Sequence, residues 1–190
     1  MRIFISININ DSVKKIIENI QDKLKKDITK IDHNLLKFIK WENKNKFHLT
    51  LLFIGDVNEL RLSEISHHLT EMNSKLKLEE IKFELGNINA FPNMKSPRVL
   101  MLELFNEDNK VFSLFESINS SLKKLGIESD KTFRPHITLG RVKRDKKLNL
   151  SNLNTELNSN VKFSVNDFFL MESKLMKTGS EYIEIKLFRF

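Results

Sequence analysis

His48-Leu49-Thr50-Leu51 and His136-Ile137-Thr138-Leu139 carry one pattern, His-x-Thr-Leu, written once in each half of a 190-residue chain. The chain holds five histidines and seven threonines, so two such matches arise by chance with a probability of roughly a few in ten thousand. A rare pattern repeated in this way points to two similar halves. Both copies lie in apolar, strand-like stretches, and strand side chains alternate between faces. His48 and Thr50 therefore share one face, with Leu49 and Leu51 on the other. His136 and Thr138 are separated from Ile137 and Leu139 in the same way. The aliphatic residues can anchor each strand in a core. The histidines and threonines are then free to line a cleft, held as rigidly as chemistry requires.

Working outward, Ile3, Ile5, Ile7 and Ile9 alternate with Phe4, Ser6 and Asn8, which predicts a first strand. Asn10 or Asp11 can cap a helix with the apolar stripe Val13, Ile16, Ile17, Ile20 and Leu24. Residues 27–46 are polar and irregular, with one apolar cluster that includes Trp41. A strand over about 47–54 carries the first motif and stops at Gly55-Asp56. Leu62, Ile65, Leu69, Met72 and Leu76 mark a second helix. Strands are expected at 80–90 and 97–105. Val111, Leu114, Phe115, Ile118, Leu122 and Leu125 mark a third helix, closed by Gly126. The second motif sits in a strand over Phe133–Val142. An exposed loop at 143–160 and strands near 161–171 and 181–189 complete the chain. The expected fold is α+β: residues 1–190 as one bilobal domain, two antiparallel sheets facing each other across a cleft, pseudo-twofold related, with helices outside.

Composition narrows the chemistry. There is no cysteine, which removes disulfides, thiolate metal sites and a cysteine nucleophile. The net charge of +7 suits a polyanionic partner without establishing one. Met1–Asn10 has neither the apolar core nor the small-residue cleavage site of a signal peptide. No apolar run approaches the roughly 20 residues that span a bilayer. A cytoplasmic monomer, without membrane association, is expected.

Opening a cyclic phosphodiester needs an acid and a base on opposite sides of phosphorus. Two facing imidazoles can divide that work, because histidine titrates near neutrality. They would do so as a coupled pair, giving a bell-shaped pH profile near neutral pH. Thr50 and Thr138 can donate hydrogen bonds to the non-bridging oxygens. The scheme requires no metal and no cofactor. The other histidines offer less. His67 and His68 are neighbours on a helix and point about 100° apart, a poor metal pair. His33 has no partner pattern.

The chain resembles the two-histidine (2H) phosphoesterases, and among them the RNA 2′,3′-cyclic phosphodiesterases, also called 2′–5′ RNA ligases. The resemblance runs almost end to end. It includes Arg2-Ile3-Phe4-Ile5-Ser6-Ile7, Trp41 before Phe47–Gly55, Ala90-Phe91-Pro92 with Pro97-Arg98-Val99-Leu100, and Phe133–Val142. It continues through Met171-Glu172-Ser173 to Gly179 and Tyr182. Two departures are the absence of a proline in Glu42–Lys46 and Gly140 in place of a common alanine.

The resemblance implies His48 as proton donor, His136 as the base that activates water, and a 2′-phosphomonoester product. The implied partner is an RNA or oligonucleotide end bearing a 2′,3′-cyclic phosphate. It further implies that Arg141 contacts phosphate and Phe53 stacks on a base. Strand parity opposes both roles unless a bulge or twist intervenes, because each stands five positions after its histidine. For Phe53, core packing is the competing reading. For the Lys-rich stretch 143–147, a solvated loop competes with contact to RNA backbone. At the level of function, three alternatives stand beside hydrolysis. One is a nucleotide-binding protein without turnover. Another is a 2H enzyme for a different cyclic or 2′–5′ phosphodiester. The third is 2′–5′ ligation.

Overall fold

A computed structural model describes residues 1–129, 132–157, 159–176 and 179–190. Its first strand, β1 (Arg2–Asn8), behaves as its alternation requires: Ile3, Ile5 and Ile7 are fully buried. The helix α1 (Asp11–Ile31) starts where Asn10 Oδ1 accepts the Val13 N–H at 2.9 Å, satisfying one of the donors orphaned at a helix start. Its buried stripe is Val13, Ile17, Gln21, Leu24 and Ile28. Ile28 continues the i, i+4 spacing from Leu24, so the helix runs to Ile31 rather than dissolving at residue 27.

The remainder of the stretch expected to be irregular is also ordered. A 3₁₀ turn (His33–Phe38), the short strand β2 (Ile39–Trp41) and another 3₁₀ turn (Lys44–Lys46) lead into β3 (His48–Asp56). β2 has three residues, too few for any periodic signal. The helix α2 (Glu59–Lys75) is capped by Asn58 and buries Ile65 and Leu69. β4 (Ile81–Phe91) and β5 (Val99–Phe105) follow, and then α3 (Lys110–Lys123). α3 closes with the Gly126 N–H on Lys123 O and the Ile127 N–H on Leu122 O, Gly126 being at φ +69°. Gly126 thus closes the helix as expected, and the two bonds make a Schellman arrangement.

β6 (His136–Val142) is shorter than the expected Phe133–Val142. Pro135 has no N–H to donate, and pairing begins after it. The expected strand at 161–171 divides at Asn166 into β7 (Lys162–Val165) and β8 (Asp167–Met176), and β9 (Gly179–Arg189) returns along β8.

Among the described residues these strands form one antiparallel sheet in the order β7-β4-β5-β6-β3-β1-β8-β9, with β2 on β6. The two expected sheets are thus halves of one. β7 and β8 stand six steps apart in that order, which would be about 29 Å in a flat sheet. Yet one residue, Asn166, joins them, and that link reaches only about 7 Å. The sheet must therefore curl until its halves face each other. The buried side chains of α1, α2 and α3 join Ile3, Ile5 and Ile7 in one core on the outer face. Phe4, Phe169 and Met171 form a separate cluster on the inner face.

Candidate active site

The halves meet at a single described pair between β3 and β6, Leu49 opposite Ile137. These are the x residues of the two motifs, and both are fully buried. Burial of a side chain of this size contributes about 1.5–3 kcal/mol, so each motif is anchored at its centre. Antiparallel register about that pair sets His48 across from Thr138, and Thr50 across from His136. A local twofold axis thus passes through the repeat that the sequence displays.

The two imidazoles are held in the same way. His48 Nδ1 lies 2.7 Å from Lys46 O, and His136 Nδ1 lies 2.6 Å from Arg134 O. A carbonyl only accepts, so Nδ1 carries the proton in each ring, and Nε2 is the chemically free nitrogen. Thr50 Oγ1 is 2.9 Å from His48 Nε2. While the ring is neutral, the threonine hydroxyl donates to it.

The parity objection is resolved by a pair of bulges. On β3, Leu52 pairs with Ile5 and Thr50 with Ser6, which leaves Leu51 as an extra residue. On β6, Gly140 pairs with Leu100 and Thr138 with Met101, which leaves Leu139 extra. The bulges fall at the last position of each motif. Each adds one residue, so a five-residue offset returns to the face of the histidine. Leu139 O accepts from the Glu42 N–H at 3.0 Å and from the buried Gln21 side-chain amide at 2.8 Å, so α1 and the β2 end hold the second bulge.

Phe53 and Arg141 accordingly sit on the inner face. Phe53 is 67% exposed and its ring centroid is 5.9 Å from that of Phe4. Core packing is therefore not its role. Phe4 in turn lies 5.2 Å from His48. Arg141 is exposed, and its charge acts on both His48 and His136. Tyr182, the sole tyrosine in the chain, is a neighbour that its residue type alone did not reveal. Its ring meets His48 edge-on at 5.2 Å and Phe4 at 5.1 Å. The signal available was its place in the C-terminal hairpin. His33 and His67 are exposed and lie apart from this group. The 143–147 loop is pinned through its carbonyls: Arg98 donates to Arg144 O at 2.9 Å and to Lys146 O at 3.0 Å.

Burial is the main cause that depresses the basicity of His48, and the charges of Arg141, His136 and Lys14 add to it, bringing its pKa to about 4. His136 is lowered in the same order of causes, burial first and then Arg141. The carbonyl bond at Nδ1 opposes the fall in each case. Both rings are thus neutral at neutral pH in the free protein. The arrangement suits an anion: a phosphate entering between the rings offsets the Arg141 field and raises both affinities for a proton. Among the described residues, no group of three or more His, Cys, Asp or Glu side chains is placed to hold a metal ion. Among the described residues, no helix is long and apolar enough to cross a membrane.

Residues 15–101 and 104–182, which include both motifs, match the sequence model of the LigT-like phosphoesterases. The chain belongs to this family. A protein of Archaeoglobus fulgidus named RNA 2′,3′-cyclic phosphodiesterase is 32% identical over 190 residues, covering 99% of each chain. One of the same name from Methanocaldococcus jannaschii is 32% identical over 143 residues, covering 75% of this chain and 72% of its own. Among solved structures, a Thermus thermophilus protein superposes with a TM-score of 0.78 at 25% identity, covering 100% of this chain and 97% of its own. Escherichia coli LigT in its apo form gives 0.75 at 20% identity, covering 99% and 96%, a likeness of fold. This LigT-like phosphoesterase therefore has the two-lobed 2H architecture, with both histidine motifs at its central seam.

Proposed function

We propose that this phosphoesterase hydrolyses the 2′,3′-cyclic phosphate at an RNA end to a 2′-phosphomonoester, with His48 as general acid and His136 as general base. The observation that carries the reading is the matched pair of Nδ1-anchored imidazoles, set by register about one central pair with Arg141 acting on both. The names of its relatives agree with it. We take residues 1–190 to act as one bilobal unit.

Binding of the anionic diester raises the pKa of His48, which takes up a proton at Nε2. Thr50 then turns its hydroxyl from that nitrogen to a non-bridging oxygen, and Thr138 does the same from the other half. His136 Nε2 removes a proton from water as its oxygen bonds to phosphorus. The bond from phosphorus to O3′ breaks, and O3′ takes the proton from His48. A 3′ hydroxyl and a 2′ phosphate remain, and the two histidines have exchanged protonation states. Phe53 supports the base, and Arg141 balances charge on the phosphate. The chemistry asks for no metal.

The test is incubation with a nucleoside 2′,3′-cyclic phosphate in EDTA, with the product identified by NMR. The expected product is the 2′-phosphate alone, with turnover lost in His48→Ala and in His136→Ala while both remain folded. A 3′-phosphate product, or activity undiminished in both variants, overturns the assignment.

A further inference from the structure

Beside His48 lies a cavity of about 150 Å³, lined by Ser6, Lys14, Lys46, Tyr182 and Glu184 among others. It does not include His136, so it lies to one side of the reacting centre. It is too small for a nucleoside, since pockets that take whole small-molecule ligands run to about 300–1,000 Å³. It has room for a charged group.

Ser6 shows that the cavity is built for a polar occupant. The residue is fully buried, and its Oγ has no hydrogen-bond partner among the described residues. A buried hydroxyl left without a partner is costly, a cost without return unless something enters to meet it. The charges identify what enters. Lys14 and Lys46 bring two ammonium groups, against one carboxylate, Glu184, which Asn8 already engages at 3.1 Å. Lys14 is 3.7 Å from the fully exposed Asp11, and Lys46 has no ion pair among the described residues. The positive balance continues outward. A Cβ on Gly179 would lie 3.9 Å from Lys46 Nζ and 3.5 Å from Lys40 Nζ, so both cations converge on Gly179 at the start of β9.

Resting on the assignment of His48 as the acid at O3′, we propose that this cavity is a second phosphate subsite, which holds the phosphate on the 5′ oxygen of the terminal ribose. Stereochemistry gives the direction. O3′ sits on C3′, whose neighbour C4′ carries C5′ and the 5′ oxygen. The base sits on C1′, beyond C2′. With O3′ at His48, the 5′ edge of the sugar is on the side of His48 where the cavity opens. The base, carried on C1′, reaches Phe53, whose ring stands 5.9 Å from Phe4 at the edge of the cavity. Lys46 and Ser6 then meet the 5′ phosphate, and Lys40 stands along the path of a preceding nucleotide. The enzyme is thereby selective for 5′-phosphorylated or polymeric ends over a bare cyclic mononucleotide.

The experiment compares adenosine 2′,3′-cyclic phosphate, its 5′-phosphorylated form and a dinucleotide with the same cyclic end. The 5′ phosphate is expected to raise kcat/KM about tenfold, chiefly through KM, as a charge-assisted contact does. Lys46→Gln, which keeps the backbone carbonyl that holds His48, should erase that gain and lower kcat/KM on the extended substrates more than on the bare cyclic nucleotide. Ser6→Ala, which removes an unsatisfied group and should fold, should erase part of it. A gain on both extended substrates assigns the cavity to any phosphate on O5′, and a gain on the monoester alone confines it to phosphorylated ends. No gain in the wild type, or an equal loss on all substrates in Lys46→Gln, overturns the subsite. Turnover of none of the three overturns the proposed reaction instead. The subsite then stands or falls on NMR titration with adenosine 5′-monophosphate, which must shift the Ser6 and Lys46 amides.

Discussion

His48→Gln should flatten the acid limb of the stability curve. The folded pKa of His48, about 4, lies below the 6.5 of an unperturbed imidazole. Between those values the unfolded chain binds a proton that the folded chain refuses. Stability is therefore unaffected by this group above pH 6.5 and falls as the pH drops toward 4. The loss from this one group is about 2 kcal/mol at pH 5, approaching about 3 kcal/mol below pH 4. Glutamine does not titrate, and its amide can still donate toward Lys46 O. His136 and the carboxylates titrate in both proteins, so the difference between wild type and variant isolates His48. Urea denaturation at pH 8, 6, 5 and 4.5 measures it, read as a two-state transition. The variant should lose less stability than the wild type on going from pH 8 to pH 5, by about 2 kcal/mol. Parallel curves for the two proteins would refute the reasoning, as would an NMR titration placing His48 above pH 6. Either would mean that burial does not hold the ring neutral, and the need for substrate to protonate it would disappear.

Arg141→Gln removes a charge that lowers both histidines, so both NMR titrations should move upward and turnover should fall about a hundredfold through loss of phosphate stabilisation; unmoved titrations would place Arg141 outside the cleft. The kcat/KM profile should be bell-shaped with its centre below pH 6.5, because both histidines are depressed in the free protein; a rate rising steadily into alkali contradicts the paired mechanism. Phe53→Ala should raise KM for purine cyclic nucleotides about tenfold, as lost base stacking does. It should leave the melting temperature unchanged, since the ring is 67% exposed. Gly140→Ala should cost about 1–3 kcal/mol, because a Cβ there would meet Ile39 Cγ2 at 2.9 Å and Trp41 Cε3 at 3.2 Å; a variant as stable as wild type would show that β2 yields easily.

The repeated motif was legible because it is local. Period-two alternation separates His48 and Thr50 from Leu49 and Leu51 whatever else the chain does, and burial follows that separation. The long helices were legible for the same reason, from stripes such as Val111, Leu114, Ile118 and Leu122. The composition further excluded cysteine chemistry. Other features depended on partners distant in the chain. The bulges at Leu51 and Leu139, which return Phe53 and Arg141 to the cleft, exist only in the pairing with β1 and β5. The split at Asn166 arises because the two ends of the sheet curl toward each other, and no local pattern marks that closure. Tyr182 reaches His48 from a hairpin 134 positions on, and Ser6 is recognisable as unsatisfied only once its surroundings are assembled. Local periodicity decides which face a side chain takes; what it meets there, and how readily it holds a proton, is decided by the burial and charge that tertiary folding brings to it.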